Sequence, residues 1–184
     1  MRLFLSLPVP PTAVEPSVLT RLKNRFPDAR WSPSDQWHIT LKFLGETPID
    51  KVESIAHAAR GVAAAARPLT ILGGPWGIFP GQPGIFWLGA QSPSGALSEL
   101  AHQLDSALVS LGFSAERRPF QAHITLARFS RPLLSLPSDL PSLEESRFEA
   151  GALDLMESRP HRNGSTYRCL KQMVLGAGSE TQTG

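Results

Sequence analysis

Cysteine is nearly absent from this 184-residue chain, and the single Cys169 excludes both an intrachain disulfide and any multi-cysteine zinc or redox motif. Charge of one sign is scarce as well. Eighteen Lys and Arg against sixteen Asp and Glu leave a net charge of +2, with no basic run that resembles a nucleic-acid-binding tail, so composition only weakly favours an anionic partner. No apolar run is long enough to span a bilayer. The stretch Met1 to Val9 is apolar, but Pro8, Pro10 and Pro11 interrupt it and it is too short and weakly charged for a signal peptide. A linker rich in Gly, Ser or Pro that could separate independent domains is also missing. These absences leave a soluble, cytoplasmic protein with no membrane partner as the expectation, and its 41% hydrophobic content suffices for one shared core. Residues 1–175 are expected to form a single bilobal domain, and the small polar residues Gly176 to Gly184 a disordered tail.

Arg2 to Val9 reads as a buried strand, and Pro11 opens a helix to Phe26 with Val14, Val18, Leu22 and Phe26 spaced by four. Trp31 to Asp35 is loop, Trp37 to Leu44 a strand ended by Gly45, and Pro48 starts an Ala-rich helix to about Ala66 with Ile49, Val52, Ile55 and Ala59 on one side. Leu69 to Phe79 is a strand bent by glycines, and Pro80 to Gly84 turns it into Ile85 to Leu88. Ser94 to Leu111 carries a clear apolar stripe and Gly112 caps it. A strand over Phe120 to Phe129 follows, then a proline-broken stretch from Pro132 to Ser142. Two last strands, Phe148 to Glu157 and Thr166 to Leu175, flank a loop from Ser158 to Ser165. The class is α+β, with two pseudo-symmetric lobes of mostly antiparallel sheet, helices outside and a cleft between them.

What the chain does have is a repeat. His38-Ile39-Thr40-Leu41 returns, 85 positions later, as His123-Ile124-Thr125-Leu126. In a strand, successive side chains point to opposite faces, so His38 shares a face with Thr40 and His123 with Thr125, while Ile39, Leu41, Ile124 and Leu126 face the core. A lone histidine in an apolar strand is most often a satisfied core or edge residue. Packing accounts for the repeated Ile and Leu, but less well for His and Thr recurring on one side. Displacement at phosphorus needs a base on one side and an acid on the other, a role two opposed imidazoles can fill, with the hydroxyls donating to phosphate oxygens. A zinc site is poorly supported, because two histidines without nearby Asp, Glu or Cys supply too few ligands; no metal and no cofactor are expected. His57 and His102 fall on helices and are read as solvent-facing. His161, between Arg159 and Arg162, is a lesser candidate for touching a phosphate.

His38 to Gly45 and His123 to Arg128 resemble the paired His-x-Thr-x signatures of the two-histidine phosphoesterase superfamily, and within it the RNA 2′,3′-cyclic phosphodiesterases, also called 2′-5′ RNA ligases. The likeness extends to Arg2-Leu3-Phe4, Phe86-Trp87-Leu88-Gly89, Arg118-Pro119-Phe120 and Glu157-Ser158-Arg159, and so covers the chain up to about Leu175. It implies hydrolysis of a terminal 2′,3′-cyclic phosphate to a 2′-phosphomonoester without metal. On the family pattern His38 is the proton donor to the leaving oxygen, His123 the proton acceptor from water, and Thr40 and Thr125 hold the phosphate. The same machinery could also perform reversible 2′-5′ RNA ligation, with a 5′-hydroxyl RNA in place of water. The implied partner is RNA ending in a cyclic phosphate, tRNA fragments among the candidates, with nucleotides as further ligands and a monomer as the expected state. Another 2′-linked or cyclic nucleotide ester as substrate, and a non-catalytic module that binds RNA ends, are the alternatives. Phe43 and Arg128 match substrate-side positions of the family, yet each lies five residues after its histidine, where strict alternation sends it to the far face. The match therefore requires a bulge or a strongly twisted strand end after Thr40 and after Thr125.

Overall fold

The computed structural model describes residues 1–143, 146–161 and 164–177. Nine strands and three α-helices are assigned among them. The first strand, β1 (Arg2–Pro8), is buried on both sides. Leu3, Leu5 and Leu7 enter the hydrophobic core, while Phe4 and Ser6 are buried on the opposite face, which explains why its sequence does not alternate between apolar and polar. After it the expected helix is interrupted. A 3-10 turn spans Pro11–Ala13, and α1 (Pro16–Arg25) starts afresh at Pro16, which has no N–H to continue a preceding helix. Val14, expected on the helix stripe, lies before α1 and is buried all the same.

The strands β2 (Arg30–Trp31) and β3 (His38–Glu46) follow, then a 3-10 turn over Ile49–Lys51 and α2 (Val52–Ala65). Ile49, expected on the buried side of this helix, precedes its regular part and is 76% exposed; the buried stripe is Ile55, Ala56, Ala59 and Ala63. A hairpin of β4 (Leu69–Phe79) and β5 (Gly84–Gln91) leads to α3 (Ala96–Val109), which buries Leu97, Leu100, Ala101, Leu104 and Leu108. Then come β6 (His123–Phe129), β7 (Arg147–Ala150), β8 (Ala152–His161) and β9 (Gly164–Val174).

The strand order is β7-β4-β5-β6-β3-β1-β8-β9, with β2 added beside β6, and every pairing is antiparallel. The two halves of this sheet mirror each other about the β3/β6 junction, where Ile39 opposite Ile124 is the single ladder pair. The chain builds β1 and β3 in one half, crosses to make β4 to β7 in the other, and returns for β8 and β9. That return corrects one expectation. Phe148 to Glu157 is not one strand: it breaks at Gly151, with β7 pairing β4 at one end of the sheet and β8 pairing β1 in the other half. The expected loop from Ser158 to Ser165 is instead the extended end of the β8/β9 ribbon, paired as far as His161 opposite Gly164. The tail expected from Gly176 lies outside the described residues from residue 178 on, and the Gly176 amide donates to the Ala63 carbonyl at 3.0 Å.

The helices cover one face of the sheet. Phe26, at the end of α1, packs its ring 5.3 Å from Phe86 of β5 and 5.4 Å from Phe129 of β6, so a helix from the first half of the chain closes the core of the second lobe. Ile39, Leu41, Ile124 and Leu126 all lie in that core. The opposite face carries the polar residues of the repeat.

Candidate active site

The antiparallel register that pairs Ile39 with Ile124 sets His38 across from Thr125 and His123 across from Thr40. The four polar side chains of the repeat thus converge on one patch, related by the approximate two-fold between the lobes. Because β3 and β6 share one ladder pair and then separate, the patch opens into a cleft on both sides of it. Both histidines and both threonines are half-buried. Among the described residues, neither threonine hydroxyl has a hydrogen-bond partner, which leaves both available to a ligand.

Each motif strand carries a bulge at the same place. Opposite β1, Leu5 pairs with Lys42 and Ser6 with Thr40, so Leu41 is the extra residue. Opposite β5, Phe86 pairs with Ala127 and Trp87 with Thr125, so Leu126 is the extra residue. Two consecutive side chains then point to the back: Leu41 and Leu126 fill the core, Ala127 joins them, and Lys42 is buried against the Asp105 carboxylate of α3 and donates to the Ser114 carbonyl at 2.6 Å. Alternation resumes one residue out of phase. Phe43 comes round to the face of His38, 68% exposed and with its ring 6.1 Å from Phe4, whose own ring lies 5.0 Å from His38. Arg128 comes round to the face of His123, and its positive charge reaches both imidazoles. Of the two devices the family match allowed, a bulge or a strongly twisted strand end, both strands carry the bulge.

Both imidazoles are oriented in the same way. Nδ1 of His38 donates to the Gln36 carbonyl at 2.8 Å, and Nδ1 of His123 donates to the Gln121 carbonyl at 2.8 Å. A carbonyl only accepts, so each Nδ1 carries the hydrogen and each Nε2 is left for proton transfer. Burial pushes the His38 pKa below the ordinary histidine value; the Gln36 hydrogen bond opposes this shift, and the charges of His123 and Arg128 add to it. His123 is lowered for the same first reason, opposed by the Gln121 hydrogen bond and assisted by Arg128.

Several neighbours were not expected at the site from the sequence. Tyr167 of β9 meets His38 edge-on at 5.0 Å and Phe4 at 5.5 Å, so His38 sits between two rings. Phe79 of β4 stands edge-on to His123 at 4.9 Å, and Trp87 of β5 lies 6.0 Å from it. The indole of Trp87 covers Gly77, where a Cβ would fall 2.1 Å from its ring carbons. The Gln36 and Gln121 carbonyls are backbone groups whose role does not depend on side-chain identity. A Gln two residues before each histidine does, however, extend the repeat. His57 and His102 are exposed on helices away from the cleft, as expected. His161 lies on a strand rather than in a loop, exposed, with Nε2 2.9 Å from the Thr166 hydroxyl. Among the described residues no three His, Cys, Asp or Glu side chains converge as metal ligands, and no helix is long and apolar enough to cross a membrane.

The chain and its fold have counterparts among known proteins. The family model described as the 2′-5′ RNA ligase superfamily matches residues 9–162, and the chain belongs to that superfamily. An RNA 2′,3′-cyclic phosphodiesterase of Thermus thermophilus is 32% identical over 185 residues, covering 95% of this chain and 90% of that protein. Another, of Geobacillus stearothermophilus, is 40% identical over 104 residues, which is 55% of this chain and 33% of that longer relative. The crystal structure of Escherichia coli LigT complexed with 3′-AMP aligns with a TM-score of 0.77 at 25% identity, covering 95% of this chain and 97% of that one.

Proposed function

We propose that the chain is an RNA 2′,3′-cyclic phosphodiesterase that opens a terminal cyclic phosphate to a 2′-phosphomonoester. The observation that carries this reading is the two-fold His/Thr quartet, in which both Nε2 atoms are left for proton transfer and both hydroxyls are unpartnered. A water attacks phosphorus while Nε2 of His123 takes its proton. The bond from phosphorus to the 3′ oxygen breaks, and Nε2–H of His38 gives that oxygen a proton, leaving a 3′-hydroxyl and a 2′-phosphate. Thr40 and Thr125 donate to the non-bridging oxygens, and Arg128 neutralises the charge that builds there. Phe43, aromatic and exposed beside the His38 side of the cleft, offers a stacking surface to the terminal base. The direction of proton flow follows the family resemblance. With the 5′-hydroxyl of a second RNA in place of water, the same step, His123 taking the hydroxyl proton and His38 protonating the 3′ oxygen, joins ends through a 2′-5′ bond, and the two histidines exchange roles when that bond is cleaved back to the cyclic phosphate.

Both proton transfers fall to histidine and charge neutralisation to Arg128, so turnover is expected to persist in chelator. The test is incubation of a short RNA ending in a 2′,3′-cyclic phosphate with EDTA present, followed by identification of the product phosphate. A 2′-phosphate supports the reading. Absence of turnover overturns it, and activity lost in EDTA and restored by zinc overturns its metal-free form. Cleaved tRNA ends and free cyclic nucleotides are the substrates to compare first.

A further inference from the structure

The strand β2 is two residues long and sits at the edge of β6, with Arg30 directly opposite Arg128 and Trp31 opposite Ala127. Directly opposite residues share a face, so Arg30 joins Arg128 on the cleft side while Trp31 turns to the back. The back side is firmly held. Nε1 of Trp31 donates to the Phe26 carbonyl at 3.4 Å, the indole stands edge-on to Phe86 at 6.1 Å, and the next amide, Ser32, donates to the carbonyl of the bulge residue Leu126 at 2.8 Å. The segment is thus pinned in a register that sets Arg30 and Arg128 directly opposite each other on the cleft side.

Like charges directly opposite each other in a sheet are destabilising unless something neutralises them. Three arginines elsewhere in the fold, Arg25, Arg118 and Arg159, are paired with Asp139, Glu116 and Glu157. Among the described residues, Arg30 and Arg128 have no such acidic partner. Arg30 is exposed, but one side of its guanidinium is covered. The end of the β8/β9 ribbon, from the other lobe, rests against it at Gly164, where a Cβ would lie 3.4 Å from both Cζ and Nη1 of Arg30. The guanidinium therefore stands where the two walls of the cleft meet.

We propose that Arg30 is a second phosphate anchor, holding the phosphodiester immediately upstream of the reacting cyclic phosphate while Arg128 serves the cyclic phosphate itself. The substrate selected is then an RNA chain end in preference to a mononucleotide. This rests on the function proposed above, in which the ribose leaves through its 3′ oxygen beside His38. Along β6, Arg128 lies beyond Thr125, the residue opposite His38, so the cleft on the ribose side runs towards Arg128 and Arg30. The 5′ oxygen of that ribose carries the next phosphate of the chain. A mononucleoside cyclic phosphate has none to offer.

The experiment compares kcat/KM for a short RNA ending in a 2′,3′-cyclic phosphate with that for a mononucleoside 2′,3′-cyclic phosphate, in the parent chain and in Arg30→Gln and Arg30→Lys. The ratio of oligonucleotide to mononucleoside is expected to fall about tenfold in Arg30→Gln, the lower end for a charge-assisted hydrogen bond, and to recover in part in Arg30→Lys. An RNA whose last internucleotide linkage is a neutral methylphosphonate is expected to lose the same factor with the parent protein, which tests the contact without altering the fold. The slope of log KM for the oligonucleotide against log salt is expected to shrink by about 0.7 in Arg30→Gln, one single-strand phosphate contact. An unchanged ratio in Arg30→Gln together with indifference to the methylphosphonate overturns the anchor. Failure of the parent protein to turn over either substrate instead overturns the phosphodiesterase reading itself.

Discussion

Each imidazole of the cleft commits Nδ1 to a backbone carbonyl two residues back in the chain, and this one hydrogen bond sets both the tautomer and the direction of Nε2. Removing either ring in His38→Ala or His123→Ala is expected to lower turnover of a cyclic-phosphate RNA by about 10²- to 10⁴-fold, the usual worth of a positioned acid or base, with the thermal transition still cooperative. Both imidazoles titrate below 6.5 in the free protein. The alkaline limb of kcat/KM, which reports the free protein, should therefore lie on the acid side of that value. In the complex an anionic phosphate favours the imidazolium, so the limb of kcat should sit at higher pH. Coincident limbs would count against the assignment. In Arg128→Gln the loss of a neighbouring positive charge is expected to raise both histidine pKa values, visible as downfield-monitored NMR titrations displaced to higher pH. The histidines and threonines were legible in the sequence because they repeat. Phe4 and Trp87 fall in stretches that resemble the family, but that they surround the histidines together with Phe79 and Tyr167 was not legible, since the four rings come from four different strands and meet only after the sheet is formed.

The two bulges are what bring six residues, the two histidines, the two threonines, Phe43 and Arg128, to one face. Without Leu41 and Leu126 as extra residues, Phe43 and Arg128 would point into the core side, and Lys42 would lose the direction that takes it to α3. The Lys42 ammonium is buried there against Asp105, whose carboxylate also accepts from the Glu116 amide, so the bulge, the helix and the following loop are tied at one point. Asp105→Ala leaves that ammonium buried without its counter-charge and is expected to cost about 3 kcal/mol in urea unfolding, the lower end for breaking a buried pair. Asp105→Asn, which keeps an acceptor, should cost less. Strand alternation could say that a bulge or a strongly twisted strand end was required if Phe43 and Arg128 belonged to the cleft, but not which the chain made, because a bulge is set by the partner strand. For the same reason a single run, Phe148 to Glu157, gave no sign that Gly151 divides it between two ends of the sheet. Its apolar residues suit either position, and pairing with β4 and β1 makes the choice.

Across the whole molecule the cleft imposes a pH dependence on stability. The unfolded chain binds protons at His38 and His123 with the ordinary pKa of about 6.5, whereas the folded chain binds them only at lower pH. Between the folded and unfolded values the unfolded state holds more protons, so stability rises with pH across that window and is complete above about 6.5. The urea midpoint is expected to fall from pH 7 to pH 5, and to fall less in a His38→Gln, His123→Gln double variant. Equal slopes would show that other groups set the acid response. From the sequence alone came the α+β class, the helices α2 and α3, and the pairing of His38 and Thr40 with His123 and Thr125, because hydrophobic periodicity and an exact repeat are local properties of the chain. Tertiary structure alone decided that β4 and β5 cross into the second lobe and β8 and β9 return to the first. It also decided that Ile39 meets Ile124, and that matched bulges bring Phe43 and Arg128 round. Register between strands distant in sequence depends on which backbone groups find each other, and no single strand carries that information.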